Sequence, residues 1–243
     1  FIDTIKERAK KDIKKIVLPE ASDLRILKAA EMAVKSAYAN IVLIGNKENI
    51  NKMAKENNLD ISKTTIIDPQ ISEKSEIYAN SLYELRKEKG MTLEKARELV
   101  KDEVYFGMMM VKLNEADGLV SGAIHSTSDT LRPALQILKT APGTKLVSAF
   151  FLMVVPNCEY GENGVFVFGD CGLNQNPSAE ELVEIANSSS KSFEQLVGKP
   201  ANVAMLSYST KGSAKSDLTQ KVIDATNICL LYTSPSPRDP KTS

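Results

Sequence analysis

Short apolar runs alternate with amphipathic stretches in the N-terminal part of the chain. Three of the runs have the length and the β-branched content of buried strands, namely 16–19, 41–44 and 65–67. Ser22 and Lys47 each precede a stretch whose apolar residues recur at helical spacing, so a helix is expected after each, with Ser22 as a cap. This β-α-β-α-β order predicts an α/β fold with a parallel sheet covered by helices.

Residues 75–113 are expected to be helical throughout, because their apolar positions keep helical spacing. Thr92 is of the type that caps a helix N-terminus and follows a glycine that ends the preceding helix. The methionine run 108–110 predicts flexible filling of a core rather than a binding surface.

Polar and small residues interrupt the apolar pattern at 117–133. The run 118–120 predicts a buried strand, hydroxyl-bearing residues follow it, and a helix is expected to start near Asp129 with Arg132 in its first turn. Free N–H groups and the positive end of a helix dipole favour an anion at such a turn, so we predict a phosphoryl or carboxylate pocket. The alternative is a helix capped by Asp129 with a solvated arginine.

The second half of the chain has three further strand-like runs. They are 146–155, expected to be a central strand, 164–169, and 203–206. Ser178 is expected to open a helix over 179–196, and a last helix is expected over 217–226. The polar segment 207–216 resembles the first anion turn but lacks the spacing of a Walker A loop. A plain polar loop capped by Ser216 is the alternative there.

Both ends of the chain differ from an ordinary domain terminus. Residues 230–243 are rich in Pro and Ser, lack periodicity and resemble translated adapter or vector sequence. We expect them to be a non-native, disordered tail that cannot continue a helix. Phe1 in place of Met indicates an incomplete N-terminus.

Composition narrows the function class. The 243 residues carry 31 basic and 31 acidic side chains, so the formal net charge is zero and a nucleic-acid footprint is not expected. No apolar run reaches the length of a membrane span, and we expect no membrane partner. Three cysteines are too few for a disulfide scaffold and favour a reducing, cytoplasmic location.

The residues of catalytic type have ordinary structural explanations as well. His125 is the only histidine, so a zinc site is not expected, and we interpret it as structural or pocket-lining rather than a catalytic base. Arg25 and Arg86 lie at helix ends where solvated arginines are common. Cys158 and Cys171 are more simply packing residues than reactive thiols. No G-x-G-x-x-G is present, which disfavours a dehydrogenase that binds a nicotinamide dinucleotide.

Three motifs carry a resemblance to a known family. Residues 121–133, 156–161 and 204–216 resemble the phosphate acetyltransferases (phosphotransacetylases), and the resemblance extends from Phe1 to about Thr226. It implies reversible acetyl transfer between coenzyme A and phosphate, with small-molecule substrates, no metal and no permanently bound cofactor. It also implies an α/β/α architecture like that of isocitrate and isopropylmalate dehydrogenases, with domains at 1–142 and 143–229, and a homodimeric parent.

The resemblance also implies the site. Arg132 matches a catalytic arginine, and Cys158 matches a cysteine near the site that is not the nucleophile. The residues of the loop that holds the phosphoryl group are Ser126, Ser128 and Thr130. The other residues expected to bind substrate are Arg25, Arg86, Ser209, Thr210, Lys211, Gly212 and Ser213.

The chain departs from the family after its last predicted helix. The family continues there for roughly another third, with a general-base Asp and a Ser-Arg pair that have no match in these residues. We therefore expect residues 1–243 alone to be inactive in acyl transfer, because the coenzyme A thiol needs a base. Alternatives are a phosphate butyryltransferase-like enzyme and a non-catalytic fragment that binds phosphate or coenzyme A.

Overall fold

The computed structural model describes residues 1–209 and 212–233, the last three as backbone only. Contacts divide the chain into two compact units, Ile2–Lys139 and the part from Thr140 onward together with Phe1. We call these the N-terminal unit and the C-terminal unit. The domain ranges expected from the sequence, 1–142 and 143–229, stay a prediction.

The N-terminal unit is a parallel sheet with helices on both faces. Its strands are β1 Lys14–Leu18, β2 Ala39–Ile44, β3 Thr65–Ile67 and β4 Gly118–Leu119. They are ordered β3-β2-β1-β4, and every adjacent pair is parallel. Its helices are α1 Ile2–Lys11, α2 Leu24–Lys35, α3 Lys47–Glu56, α4 Lys74–Arg86, α5 Leu93–Leu99, α6 Glu103–Lys112 and α7 Thr127–Ile137. The predicted α/β class and parallel sheet are confirmed.

Strand alternation divides the core between the two faces of this sheet. Val17 and Val42 point to the face covered by α4 to α7, where Phe106 is fully buried. Leu18 and Leu43, their neighbours along the strands, point to the face covered by α2 and α3. Successive side chains of a strand leave on opposite faces, so β1 and β2 each contribute to both cores.

Local capping chemistry sets most helix starts. Thr92 accepts a hydrogen bond from the Lys95 backbone N–H at 3.2 Å and caps α5, as predicted. Asp23, not Ser22, caps α2, because its carboxylate reaches the Arg25 N–H at 2.7 Å. Both residue types are good N-caps, so the sequence alone did not distinguish between these neighbours.

Helix α6 is buried on nearly its whole circumference. Its residues from Val104 to Met110 are all buried, which confirms the methionine run as core. A Cβ added at Gly107 would lie 2.6 Å from the Leu119 Cδ1 atom and 2.9 Å from the Val17 Cγ1 atom. Gly107 thus allows α6 to pack closely against β1 and β4, the two strands that lead into the candidate site.

In the residues that the structure describes, the C-terminal unit contains one antiparallel strand pair and two helices. Its elements are β5 Phe150–Val154, β6 Val165–Gly169, α8 Ala179–Val197 and α9 Asp217–Thr233. Ser178 and Glu181 form a complete capping box at the start of α8, as the sequence predicted for Ser178. Among the described residues, no helix combines the length and apolar character needed to cross a membrane.

Two strand predictions for the C-terminal unit are wrong. The predicted central strand 146–155 is only β5, which pairs with β6 alone in the described part of the chain and is largely exposed. Residues 203–206 form no strand, because no described strand pairs with them; they line an open cavity of about 850 Å³ beside β6 and α8.

The last helix is longer than expected. Helix α9 reaches Thr233 rather than Thr226, so residues 230–233 continue a helix that we predicted to have ended. The prolines of the tail begin only at Pro235, and Leu230 and Leu231 are good helix formers, which explains the error. The predicted disordered tail from 234 to 243 lies outside the described residues.

The contact at Gly107 gives a stability prediction. Gly107→Val should lower the free energy of unfolding by about 1–3 kcal/mol or more, because the new methyl groups overlap buried Val17 and partly buried Leu119. Urea denaturation measures the effect. The control is Ala29→Val on the exposed side of α2, which changes only helix propensity, by less than about 1 kcal/mol. Equal losses in the two variants would contradict close packing at Gly107.

Candidate functional site

The candidate site lies at the carboxyl edge of the parallel sheet of the N-terminal unit. Strand β1 ends at Leu18 and leads into Glu20, while its parallel neighbour β4 ends at Leu119 and leads into residues 121–126. Both segments therefore leave the sheet at the same edge. We call residues 121–126 the anion loop.

A buried carboxylate organises the anion loop from within. The Glu20 side chain is 0% exposed. Its Oε2 atom accepts hydrogen bonds from the backbone N–H groups of Gly122 at 2.9 Å and Ala123 at 2.8 Å. Its Oε1 atom accepts from the N–H groups of Ile124 at 2.9 Å and His125 at 2.8 Å, and lies 2.9 Å from His125 Nδ1.

These hydrogen bonds decide the charge of Glu20. Burial by itself raises the pKa of a carboxyl group, but the backbone donors at 123–125 and the imidazole outweigh burial and lower the pKa of Glu20 to about 2. Glu20 is therefore ionised at neutral pH. Sequence reasoning missed it, because nothing local links a glutamate after β1 to a loop more than a hundred positions later.

Glu20 changes the predicted use of the anion loop. The backbone N–H groups at 122–125 are not free for a ligand, since the protein's own carboxylate occupies them. Within the described chain, the N–H groups of Ser126, Thr127 and Ser128 have no hydrogen-bond partner. These three N–H groups begin α7 and point from its positive end.

The hydroxyl residues of the loop have different local roles. Ser126 caps α7 by accepting from the Asp129 N–H at 3.2 Å, and its hydroxyl donates to the Asp129 carboxylate at 2.6 Å. The alternative of a helix capped by Asp129 is therefore wrong, and α7 starts at Thr127, two residues before the expected start near Asp129. Thr130 Oγ1 lies 3.4 Å from the Ser121 hydroxyl. The Ser128 side chain is exposed, and its hydroxyl makes no hydrogen bond within the described residues.

Two of the predicted arginines act electrostatically on one tyrosine. Arg132 is exposed on α7 and forms no ion pair within the described residues. The Nε atom of Arg86 is buried without a hydrogen-bond partner there. Burial raises the pKa of Tyr105, while the positive charges of Arg132 and Arg86 act on the same hydroxyl and oppose that increase. The Tyr105 hydroxyl donates to Gln136 Oε1 at 3.0 Å.

Arg25 is placed beside the anion loop. Its Nη2 atom donates to the Ala123 carbonyl oxygen at 2.8 Å and to the Asp23 carboxylate at 2.7 Å. The guanidinium therefore holds the carbonyl side of the loop, whose N–H side is held by Glu20. The structure thus gathers Arg25, the hydroxyls of the loop and Arg132 in one unit, with Arg86 on α4 of the same unit.

The second predicted group of residues belongs to the C-terminal unit. Ser209 Oγ accepts from the Ala214 N–H at 3.0 Å, which closes a short turn. Gly212 has a positive φ of 79°, a conformation that suits glycine. Ser213 follows it within the same turn. Thr210 and Lys211 lie outside the described residues.

The C-terminal unit also contains the two cysteines named in the sequence analysis and a carboxylate that was not predicted. Cys158 and Cys171 are both free thiols and half-buried. Beside Cys171, Asp170 accepts from the N–H groups of Gly172 and Leu173, each at 2.7 Å. Burial raises the pKa of Asp170, but these donors and the Asn174 side chain lower it to about 2. Sequence reasoning missed this second carboxylate as well.

Comparisons with known proteins agree on one family. A family model described as phosphate acetyl/butaryl transferase matches residues 1–233. The phosphate acetyltransferase of Acetivibrio thermocellus is 63% identical over 228 residues, which are 94% of this chain and 68% of that protein. Among solved structures, the EutD phosphotransacetylase from Staphylococcus aureus is 41% identical with a TM-score of 0.84, and the match covers 95% of this chain and 68% of that chain. A phosphotransacetylase from Streptococcus pyogenes is 37% identical with a TM-score of 0.86, and the match covers 96% of this chain and 69% of that chain.

The pKa of Glu20 predicts a loss of stability in acid. Its pKa is about 2 in the folded chain against 4.5 for an unperturbed group, so ionised Glu20 favours folding. This stabilisation is complete above about pH 4.5 and is lost as the pH falls towards 2; the shift corresponds to about 3 kcal/mol of unfolding free energy.

Urea denaturation across this pH range tests the prediction. Glu20→Gln should be less stable at neutral pH and should lose less further stability in acid than the unaltered chain. Glu31→Gln is the control. Like Glu20, Glu31 accepts a hydrogen bond from a backbone N–H, and it accepts a second one from a lysine, but it lies on α2 away from the loop. Parallel stability curves for the Glu20 variant and the unaltered chain would refute the assignment.

Proposed function

This chain belongs to the phosphate acetyl/butaryl transferase family, and we propose on that basis that its reaction is reversible acetyl transfer between coenzyme A and inorganic phosphate. The family enzymes are acyltransferases, which sets the reaction class. The substrates of this reaction are anionic at the phosphoryl group and at the coenzyme. A site for this reaction must therefore bind negatively charged groups.

The observation that carries the proposal is the start of α7. Three consecutive N–H groups at 126–128 without partners in the described chain, the exposed Ser128 hydroxyl and the unpaired Arg132 all lie within its first two turns. Helix N-termini bind phosphoryl oxygens through such N–H groups. Arg132 adds a fixed positive charge whose fork of donors matches phosphate geometry.

The chemistry assigns roles to these groups. In the direction of thioester formation, the coenzyme A sulfur attacks the acetyl carbonyl carbon, the carbon–oxygen bond to phosphate breaks, and the thiol proton goes to a base. Negative charge grows on the carbonyl oxygen and on the departing phosphate. We assign the phosphate to the 126–128 N–H groups and Arg132, and coenzyme binding or catalysis to Arg25 and Arg86.

The C-terminal unit carries the second predicted group of substrate-binding residues. We assign substrate contacts to Ser209, Thr210, Lys211, Gly212 and Ser213, and we place Cys158 near the site without a nucleophilic role. The turn closed by Ser209 and Ala214 supports this assignment, because Gly212 leaves room for a ligand at the backbone. We also propose the isocitrate-dehydrogenase-like two-domain architecture, the homodimeric parent and the cytoplasmic location for the family's enzyme.

The general base is assigned outside residues 1–243. The chain spans 68% of the length of the Acetivibrio thermocellus relative, and we place the aspartate base and its Ser-Arg partners in the remaining part of the family sequence. A polypeptide of residues 1–243 should therefore bind phosphate or coenzyme A and turn over acetyl phosphate at least about 10²–10⁴-fold more slowly than the full-length relative.

Coenzyme A-dependent thioester formation from acetyl phosphate, with both proteins at equal concentration, checks this expectation. Turnover by residues 1–243 at the rate of the relative would show that the base lies within them. A matched assay with butyryl phosphate addresses the second acyl group in the family description. If the relative turned over butyryl phosphate faster than acetyl phosphate, the family's butyryl reaction would be favoured over the acetyl reaction.

Replacement of Arg132 should weaken phosphate binding strongly. Arg132→Ala should weaken phosphate binding by about 10- to 100-fold, because it removes charge-assisted hydrogen bonds worth about 1.5–3 kcal/mol. Titration calorimetry with inorganic phosphate measures this loss. Lys28→Ala, which removes an exposed positive charge on α2 of the same unit, is the control and should change binding less than about twofold. Equal effects of the two variants would remove Arg132 from the phosphate site.

A further inference from the structure

Five N–H groups converge on the two oxygens of Glu20. Four come from consecutive backbone positions, 122–125, and the fifth position is His125 Nδ1 at 2.9 Å. The four backbone bonds cover a whole segment without a break. A segment held in this way has one conformation, because rotation of any one of these peptide planes would take a donor away from the buried carboxylate.

The same contact fixes the proton on His125. An ionised carboxylate only accepts hydrogen bonds, so the nitrogen that faces Glu20 must carry the hydrogen. In the neutral imidazole this places the proton on Nδ1 and the lone pair on Nε2. The Nε2 atom has no hydrogen-bond partner within the described residues, and the side chain of His125 is 22% exposed.

The loop bound to Glu20 leads directly into the start of α7. Ser126 follows His125 and caps the helix, so the orientation of the 126–128 N–H groups depends on the backbone just before them. Arg25 holds the same loop through the Ala123 carbonyl. The loop is thus fixed on its donor side and its acceptor side by residues that follow β1.

We propose that Glu20 is a positioning residue: it holds residues 122–125 in one conformation, sets the Nδ1–H tautomer of His125, and so presents His125 Nε2 and the 126–128 N–H groups to an anionic substrate. The loop conformation and the His125 tautomer are inferred from contacts within the N-terminal unit alone. The identification of the anion as a phosphoryl group rests on the proposed function.

Nitrogen NMR of the imidazole reads the tautomer directly in the whole 243-residue chain. His125 is the only histidine, so each ring nitrogen gives one assignable signal. In alkaline solution, at about pH 9, the unaltered chain should show a protonated Nδ1 and a lone pair on Nε2. Glu20→Gln should shift the signals towards the mixture of tautomers of a free imidazole, while Glu31→Gln should leave them unchanged.

Binding of inorganic phosphate gives the functional measurement. Glu20→Gln should weaken phosphate binding by about 10- to 100-fold, as expected when binding groups move by an ångström. Glu20→Asp keeps the charge and should recover part of that loss, whereas Glu31→Gln should bind as the unaltered chain does. An unchanged tautomer together with unchanged phosphate affinity in Glu20→Gln would overturn the proposal.

The unaltered chain tests the proposal even if Glu20→Gln does not fold. Amide hydrogen exchange should be slow at 122–125 and fast at 126–128, because only the first group has hydrogen-bond partners. Equal exchange in the two groups, or an Nε2–H tautomer, would refute the role of Glu20. Correct tautomer and exchange with no phosphate binding would instead refute the proposed function and leave the geometry of Glu20 intact.

Discussion

The N-terminal unit depends on one ionised carboxylate that is removed from water. Glu20 is fully buried, and a buried charge is tolerated only where donors surround it. Here the donors come from a single loop, so the same bonds that stabilise the charge also determine the path of the backbone after β4. The carboxylate requires the loop as its source of hydrogen-bond donors, and the loop requires the carboxylate as the acceptor for its N–H groups.

Parallel pairing of β1 and β4 is what makes this arrangement possible. Because the strands run in the same direction, the residues after each strand meet at one edge of the sheet. Gly107 lets α6 approach both strands closely. The C-terminal unit uses a related device, since Asp170 follows β6 and binds the N–H groups of the next turn. In both cases a carboxylate after a strand shapes the following loop.

The internal carboxylate also separates structural donors from binding donors. The N–H groups at 122–125 serve the fold, whereas those at 126–128 have no partner in the described chain and stand beside Arg132. A negative charge that is already saturated by five donors repels an incoming anion less than a free one does. The site therefore keeps its positive character next to a buried glutamate.

The sequence alone determined features that depend on neighbouring residues. The existence of the four strands, the Thr92 cap, the start of α8 after Ser178 and the family motifs depend on local sequence, and each was recognised from spacing and residue type. Tertiary structure decided what depends on distant residues: the role of Glu20, the occupied N–H groups of the anion loop and the electrostatic effect of Arg86 and Arg132 on Tyr105. It also decided that 203–206 is no strand, since an apolar run becomes a strand only where another strand offers hydrogen bonds. Periodicity records which face of a segment is buried, but not which partner covers it.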